Sequence, residues 1–297
     1  MSQPLASSVR LPADENREQI MVQAAKLYFD LDRTQSDIAK ELGLTRWQVS
    51  RLLREAIVVP SYGAAGGIAL ESVAQAAGQY LAAVNPKPKQ FGVSWGRTMA
   101  AVAHWLPQHW NDAVEVVLVN GSTNLRDVSS RPQFVAEIFS RKGNGSATIL
   151  PVPAIVGKAA TREALEQDAS VSTVLALAES ATMACFGLGT MAHDSVLVES
   201  GYLTIAQIDD LKARGAVGDI LGRFVDQDGA IVDAELDGRT LGLRPDALRR
   251  KAHAIAVATG VTKHKIIRAC LQAGFINVLV IDEMLAGRLL EGAQNHG

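Results

Sequence analysis

The sequence predicts an α/β protein in two unequal parts, a small helical one at the N-terminus and a larger one built on a parallel sheet. Three observations predict it. From Gln90 onward, short apolar runs alternate with amphipathic helical stretches, the pattern of a mainly parallel sheet covered on both faces. Thr34 to Ala56, TQSDIAKELGLTRWQVSRLLREA, reads instead as two helices joined by a tight turn. The chain has 297 residues, 48% of them apolar, enough for two domains and a large core.

Residues 1–16 are polar and carry prolines, the composition of a frayed tail. They lack the apolar centre of a signal peptide, and no run long enough to span a membrane follows, which predicts a cytoplasmic protein without a membrane partner. Residues 17–56 form the helical part. Glu18 to Phe29 places Ile20, Ala24, Leu27 and Tyr28 on one face and supplies the first of three helices. Thr34 can cap the second, whose stripe is Ile38, Ala39 and Leu42. Gly43 falls where the turn needs a positive φ. Thr45 can cap the third helix, with Val49, Leu52 and Leu53 inward. Ala39, Gly43 and Val49 thus hold the spacing of a helix-turn-helix.

That packing leaves Arg46, Trp47, Gln48, Ser50 and Arg51 on the exposed front of the third helix. Arginine and glutamine can read base edges, while serine and arginine can grip phosphate. Thr34, Gln35 and Thr45, at the helix starts, complete the candidate DNA-binding set. A plain helical hairpin with a solvated face is the alternative. The net charge of −2 argues against a chain coated in nucleic acid but allows one local basic face.

Residues 57–297 form the larger part. Ile57 to Val59 reads as a buried strand, followed by a glycine-rich turn and a helix from Leu70 to Val84. Strands are expected at Phe91–Val93, Val114–Val119, Thr148–Val152, Met183–Gly187, Ala254–Ala258 and Val278–Ile281. Helices are expected from Trp95 to Trp105, Arg162–Gln167, Val171–Ser180, Ile205–Ala213, Lys263–Gln272 and Glu283–Leu290. Ile220 to Val225 leads into DQDG, Asp226 to Gly229, which lacks the later ligands of a calcium loop and reads as a hairpin turn. Cys185 and Cys270, far apart in apolar surroundings, predict reduced thiols. The histidines show no metal-ligand spacing, so no metal and no cofactor are expected.

In such sheets ligands bind beyond the carboxyl ends of the strands. Three stretches fall there. GVSWGRTMA, Gly92 to Ala100, brings Ser94, Gly96, Arg97 and Thr98 to the start of a helix, a natural anion seat. NGST brings Asn120, Gly121 and Ser122. ATGVTK brings Lys263. A fourth stretch, RGAVGD, offers Asp219 either as an acceptor for sugar hydroxyls or as a helix N-cap.

Together TQSDIAKELGLTRWQVSRLL, GVSWGRT, LPVPAIV, GAVGDILGRFVDQDG, AIAVATGVTKHKIIRACL and NVLVIDEMLAGRLL resemble the SorC family of bacterial sugar-responsive transcriptional regulators, from about Ala24 to Leu290. The resemblance implies a helix-turn-helix followed by a Rossmann-like effector domain folded like ribose-5-phosphate isomerase and glucosamine-6-phosphate deaminase. It implies a phosphorylated-sugar effector, operator DNA and self-association as a dimer or tetramer. Carried over by motif, phosphate lies on Gly96, Arg97 and Thr98, the sugar on Asn120, Gly121 and Ser122, and Asp219 and Lys263 face the ligand. Arg97 departs from the smaller residue of some relatives. So does the junction at Ala56–Ile57: relatives carry a linker there, and LREA here runs straight into IVVP.

The reading is therefore a DNA-binding regulator, not an enzyme, whose operator affinity a phosphorylated sugar controls. Two rivals stand beside it. One is a sugar-phosphate isomerase or deaminase using Asp219 and Lys263. The other is an effector-binding oligomer with impaired DNA binding.

Overall fold

The computed structural model describes residues 40–43, 56–60, 67–121 and 132–294. Among them the backbone runs β1 (Ala56–Val59), α1 (Gly67–Ala83), β2 (Gln90–Val93), α2 (Arg97–Trp105), β3 (Glu115–Leu118), α3 (Pro132–Lys142) and β4 (Ser146–Thr148). Then come α4 (Ala159–Gln167), α5 (Ala169–Ser180), β5 (Met183–Gly189), α6 (Val196–Glu199), α7 (Ile205–Ala213), β6 (Gly218–Ile220) and β7 (Arg223–Val225). The last are α8 (Ala234–Asp237), α9 (Pro245–Leu248), β8 (His253–Ala258), a 3₁₀ turn (Val261–Lys263), α10 (His264–Gln272), β9 (Val278–Asp282) and α11 (Glu283–Gln294).

Seven strands make one parallel sheet in the order β1-β9-β8-β5-β2-β3-β4. Side-chain alternation shows that both its faces are buried. In β8, Ala254, Ala256 and Ala258 join one apolar cluster, and Ile255 and Val257 join the other. β9 splits the same way, Leu279 and Ile281 against Val278 and Val280. The first cluster is closed by α5, α10 and α11, the second by α1, α2, α3 and α7. The result is a three-layer α/β/α domain, which is why its strands read as continuous apolar runs.

Several sequence expectations need correction. Ala56, expected to end the third helix, is the first residue of β1, in register with Leu279. The strand expected at Thr148–Val152 is Ser146–Thr148. Pro151 and Pro153 follow, and a residue without an N–H cannot extend a ladder. Helix α3 was not anticipated; it buries Val135, Ala136 and Phe139 but leaves Phe134 exposed, which blurs its apolar stripe. Ile220–Val225 is not one run into a turn but the heart of a hairpin, β6 and β7, closed by Leu221 (φ 53°) and Gly222 (φ 80°). Leucine seldom adopts a positive φ, so the sequence carried little warning of it. The DQDG segment does form a turn: Asp226 accepts from the N–H groups of Asp228 and Ala230.

Candidate functional site

The sheet sets the site. β2 pairs with β3 on one side and with β5 on the other, so the chain reverses its winding at β2. Such a reversal is where an open α/β sheet forms its ligand crevice, beyond the carboxyl ends of the strands. The candidate stretches after β2 and β3 sit at adjacent strand ends, and the one after β8 lies one strand further along, across β5.

After β2, the Ser94 N–H bonds the Cys185 carbonyl (3.0 Å), and the Gly187 N–H reaches the buried Ser94 hydroxyl (3.4 Å). Gly96, at φ 130°, ψ 173°, precedes α2; only glycine enters that conformation without strain, and it frees the first N–H groups of the helix. Thr98 is half-buried. Arg97 turns outward, donating to the Asp194 carbonyl (2.7 Å) and to Glu199 (3.4 Å). After β3, Asn120 is only 7% exposed and its Oδ1 accepts no hydrogen bond from the described residues. Trp95 Nε1 donates to the Gly121 carbonyl (2.8 Å) and ties this loop to the first. Ser122 lies outside the described residues.

Asp219 is not a helix N-cap. It lies on β6, which pairs antiparallel with the end of β5, opposite Gly189. Its carboxylate fills the space that a Cβ at Gly189 would take and accepts the Gly222 N–H (3.1 Å). Desolvation raises its pKa to about 6, against the opposing pull of Gly222 and of the Lys263 charge. Lys263 closes the 3₁₀ turn after β8. Desolvation lowers its pKa to about 8; the Asp219 charge opposes that shift and Arg97 adds to it. Arg97, Asp219 and Lys263 therefore share one electrostatic environment.

Two supporting side chains escaped the sequence reading. Asp282, 3% exposed, accepts the N–H of Gly260 on one oxygen and of Leu285 on the other, both at 2.9 Å, so it fixes the Lys263 loop while capping α11. An aspartate closing an apolar strand before Glu-Met-Leu was a legible cap signal. Arg223, 1% exposed, bonds Asp237 and the carbonyls of Leu221, Thr240, Gly242 and Leu243. It stitches the Asp219 hairpin to the segment that bridges Asn120 at Gly242. Nothing in its local sequence announces a buried arginine.

The DNA-binding candidates Thr34, Gln35, Thr45, Arg46, Trp47, Gln48, Ser50 and Arg51 lie outside the described residues. Of that stretch, Lys40 and Glu41 are helical, and Gly43 turns at φ 65°, as the spacing predicts.

A protein family described as "Putative sugar-binding domain" matches residues 46–291. The deoxyribonucleoside regulator of Bacillus subtilis is 27% identical over 310 residues, covering 93% of this chain and 99% of its own. That stretch exceeds the 297 residues here, so the relative carries segments this chain lacks. The crystal structure of the full-length sorbitol operon regulator SorC from Klebsiella pneumoniae superposes with a TM-score of 0.73 at 25% identity, covering 92% of this chain and 98% of that one. A DeoR family transcriptional regulator from Listeria monocytogenes gives 0.72 at 26% identity, covering 86% and 97%. Family match, aligned relatives and shared fold agree across most of the chain: it belongs to the SorC family of sugar-responsive transcriptional regulators.

Proposed function

We propose that the crevice binds a phosphorylated sugar and that this binding sets the affinity of an N-terminal helix-turn-helix for operator DNA. One observation carries the reading: at the end of β5 a desolvated carboxylate, Asp219, lies within the field of the Lys263 ammonium. Asp219 can accept from sugar hydroxyls, and Lys263 offers a point charge to phosphate beside the free N–H groups that open α2. Asn120 Oδ1 supplies a further buried acceptor for a hydroxyl. In this reading the chain works in the cytoplasm as a dimer or tetramer, without cofactor.

Ligand-induced stabilisation is the test. A ligand that binds only the folded state raises the melting temperature by mass action. Sugar phosphates should do so, their free sugars should not, and Thr98→Ala should weaken the response. Equal shifts with free sugars would sink the phosphate site. A gel shift on operator DNA, with and without the active sugar phosphate, tests the regulatory half.

The same pair favours a second reading. Groups with pKa values near 6 and 8 bracket neutrality, as proton transfer between sugar isomers requires. Turnover of pentose or hexosamine phosphates that disappears in Asp219→Asn would favour an enzyme. The regulator reading expects no turnover.

A further inference from the structure

Leu42 is the half-buried member of a short exposed segment: Lys40, Glu41 and Gly43 around it all face solvent. Leu42 packs against the first apolar cluster of the large domain. That cluster also contains Ile220 and Leu221, next to Asp219, and Ile266 and Ile267, just beyond Lys263. It contains Leu285, whose N–H Asp282 accepts while its other oxygen holds the Lys263 loop. One packed core thus reaches from the crevice to the turn of the DNA-reading stretch. The far end of that stretch is fixed too, because Ala56 is buried in β1 against β9. Residues 44–55, which carry Thr45, Arg46, Trp47, Gln48, Ser50 and Arg51, are bounded on both sides by contacts with the large domain.

We infer that Leu42 is a docking residue, which seats the helix-turn-helix turn on the effector domain so that the ligand site and the DNA-reading stretch share one core. Close-packed cores rearrange between discrete arrangements and do not deform smoothly, so a ligand that biases the packing around Asp219 and Lys263 also biases the seat of Leu42. The docking stands on the contact alone; the coupling rests on the effector reading above.

The test is amide hydrogen exchange on the full chain, as wild type, Leu42→Ala and Leu42→Met, each with and without inorganic phosphate. Docking predicts that Leu42→Ala speeds exchange by about ten-fold or more in at least one of the helices that close this cluster, α5, α10 and α11, because truncation leaves a cavity in a shared core. Leu42→Met, close in volume, should not. If Leu42→Ala also unfolds the helical stretch, the comparison still decides: losing a docked stretch exposes one of these helices, and losing an undocked one leaves all three unchanged. Wild-type exchange in all three helices of Leu42→Ala overturns the docking. Phosphate should protect Gly96–Thr98 and shift exchange at Lys40–Gly43 by roughly five-fold or more, the second effect vanishing in Leu42→Ala. Protection at Gly96–Thr98 without that shift overturns the coupling and leaves the effector site standing. No protection at Gly96–Thr98 overturns the phosphate site, while α5, α10 and α11 still judge the docking.

Discussion

Asp219 shows how a binding residue is bought at the expense of stability. Its folded pKa of about 6 lies above the ordinary carboxylate value, so the folded protein holds this proton more tightly than the unfolded chain does. The associated stability is complete below about pH 4 and is lost as the pH rises through 6. A shift of about 2 units corresponds to at most about 3 kcal/mol, lessened by water reaching the partly exposed carboxyl. Asp219→Asn should therefore flatten urea-unfolding stability between pH 4 and 7, while the wild type declines there. An equal decline in both would show that another group titrates. Lys263 gives the matching prediction for binding. Its pKa of about 8 means that the ammonium loses its proton as the pH rises through 8, so phosphate affinity should fall across that range. Calorimetric titration from pH 7 to 9 checks it, and Lys263→Gln should bind weakly with no such fall.

The functional side chains hold their places because whole elements are tied down by groups that never touch the ligand site. Asp282→Ala removes both the α11 cap and the anchor of the Gly260 loop. It should cost about 1–3 kcal/mol in unfolding and also weaken phosphate binding, although Lys263 is intact. Asp282→Asn should recover much of the loss, because its amide oxygen still accepts one of the two N–H groups. Arg223→Met should be harsher, about 3–5 kcal/mol, because it leaves four buried carbonyls without this donor and takes one arginine partner from Asp237, which keeps Arg244 at 3.0 Å. Lysines close helix ends in the same manner. The Lys142 ammonium donates to the carbonyls of Ala103, His104 and Leu106 at the end of α2, and Lys251 donates to those of Ala178, Glu179 and Ala181 at the end of α5. The roles of Arg223, Lys142 and Lys251 were not legible in the sequence, where they look like ordinary surface charges. Ser94, Gly96, Thr98, Asn120 and Lys263 were legible, because a strand followed by a polar or glycine turn names its own carboxyl end. Asp219 was legible as a residue but not as a hairpin residue, since Leu221 turns without a turn signal.

At the scale of the molecule, the alternation of strands and helices was enough to place the sheet, and local irregularity was not: β4 ends early at its prolines, and α3 hides behind an exposed phenylalanine. The junction belongs to this scale. Ala56 already lies in the sheet, so no residues remain between it and the DNA-reading stretch to move that stretch by a turn of DNA. We expect normal effector binding with weak, strongly salt-dependent DNA binding. A flexible insert of about 20 residues after Glu55, reaching roughly 25 Å, should recover operator affinity. Ligand control, if present, then acts on a weak affinity, and tight operator binding by the chain as it stands would falsify the spacing argument.

The partner of β1 also sets an order of events during synthesis. β1 pairs with β9, near the far end of the chain, and lies at the edge of the sheet. At roughly 5–20 residues per second, about 10–40 s separate the emergence of the two strands from the ribosome. For that interval β1 offers an unpaired edge of Ala-Ile-Val-Val, directly after the candidate DNA-binding residues in the chain. A nascent chain arrested before Val278 should be cleaved readily around β1 by a protease. Release of β9 should abolish the cleavage, so the large domain closes on β1 only after β9 has emerged.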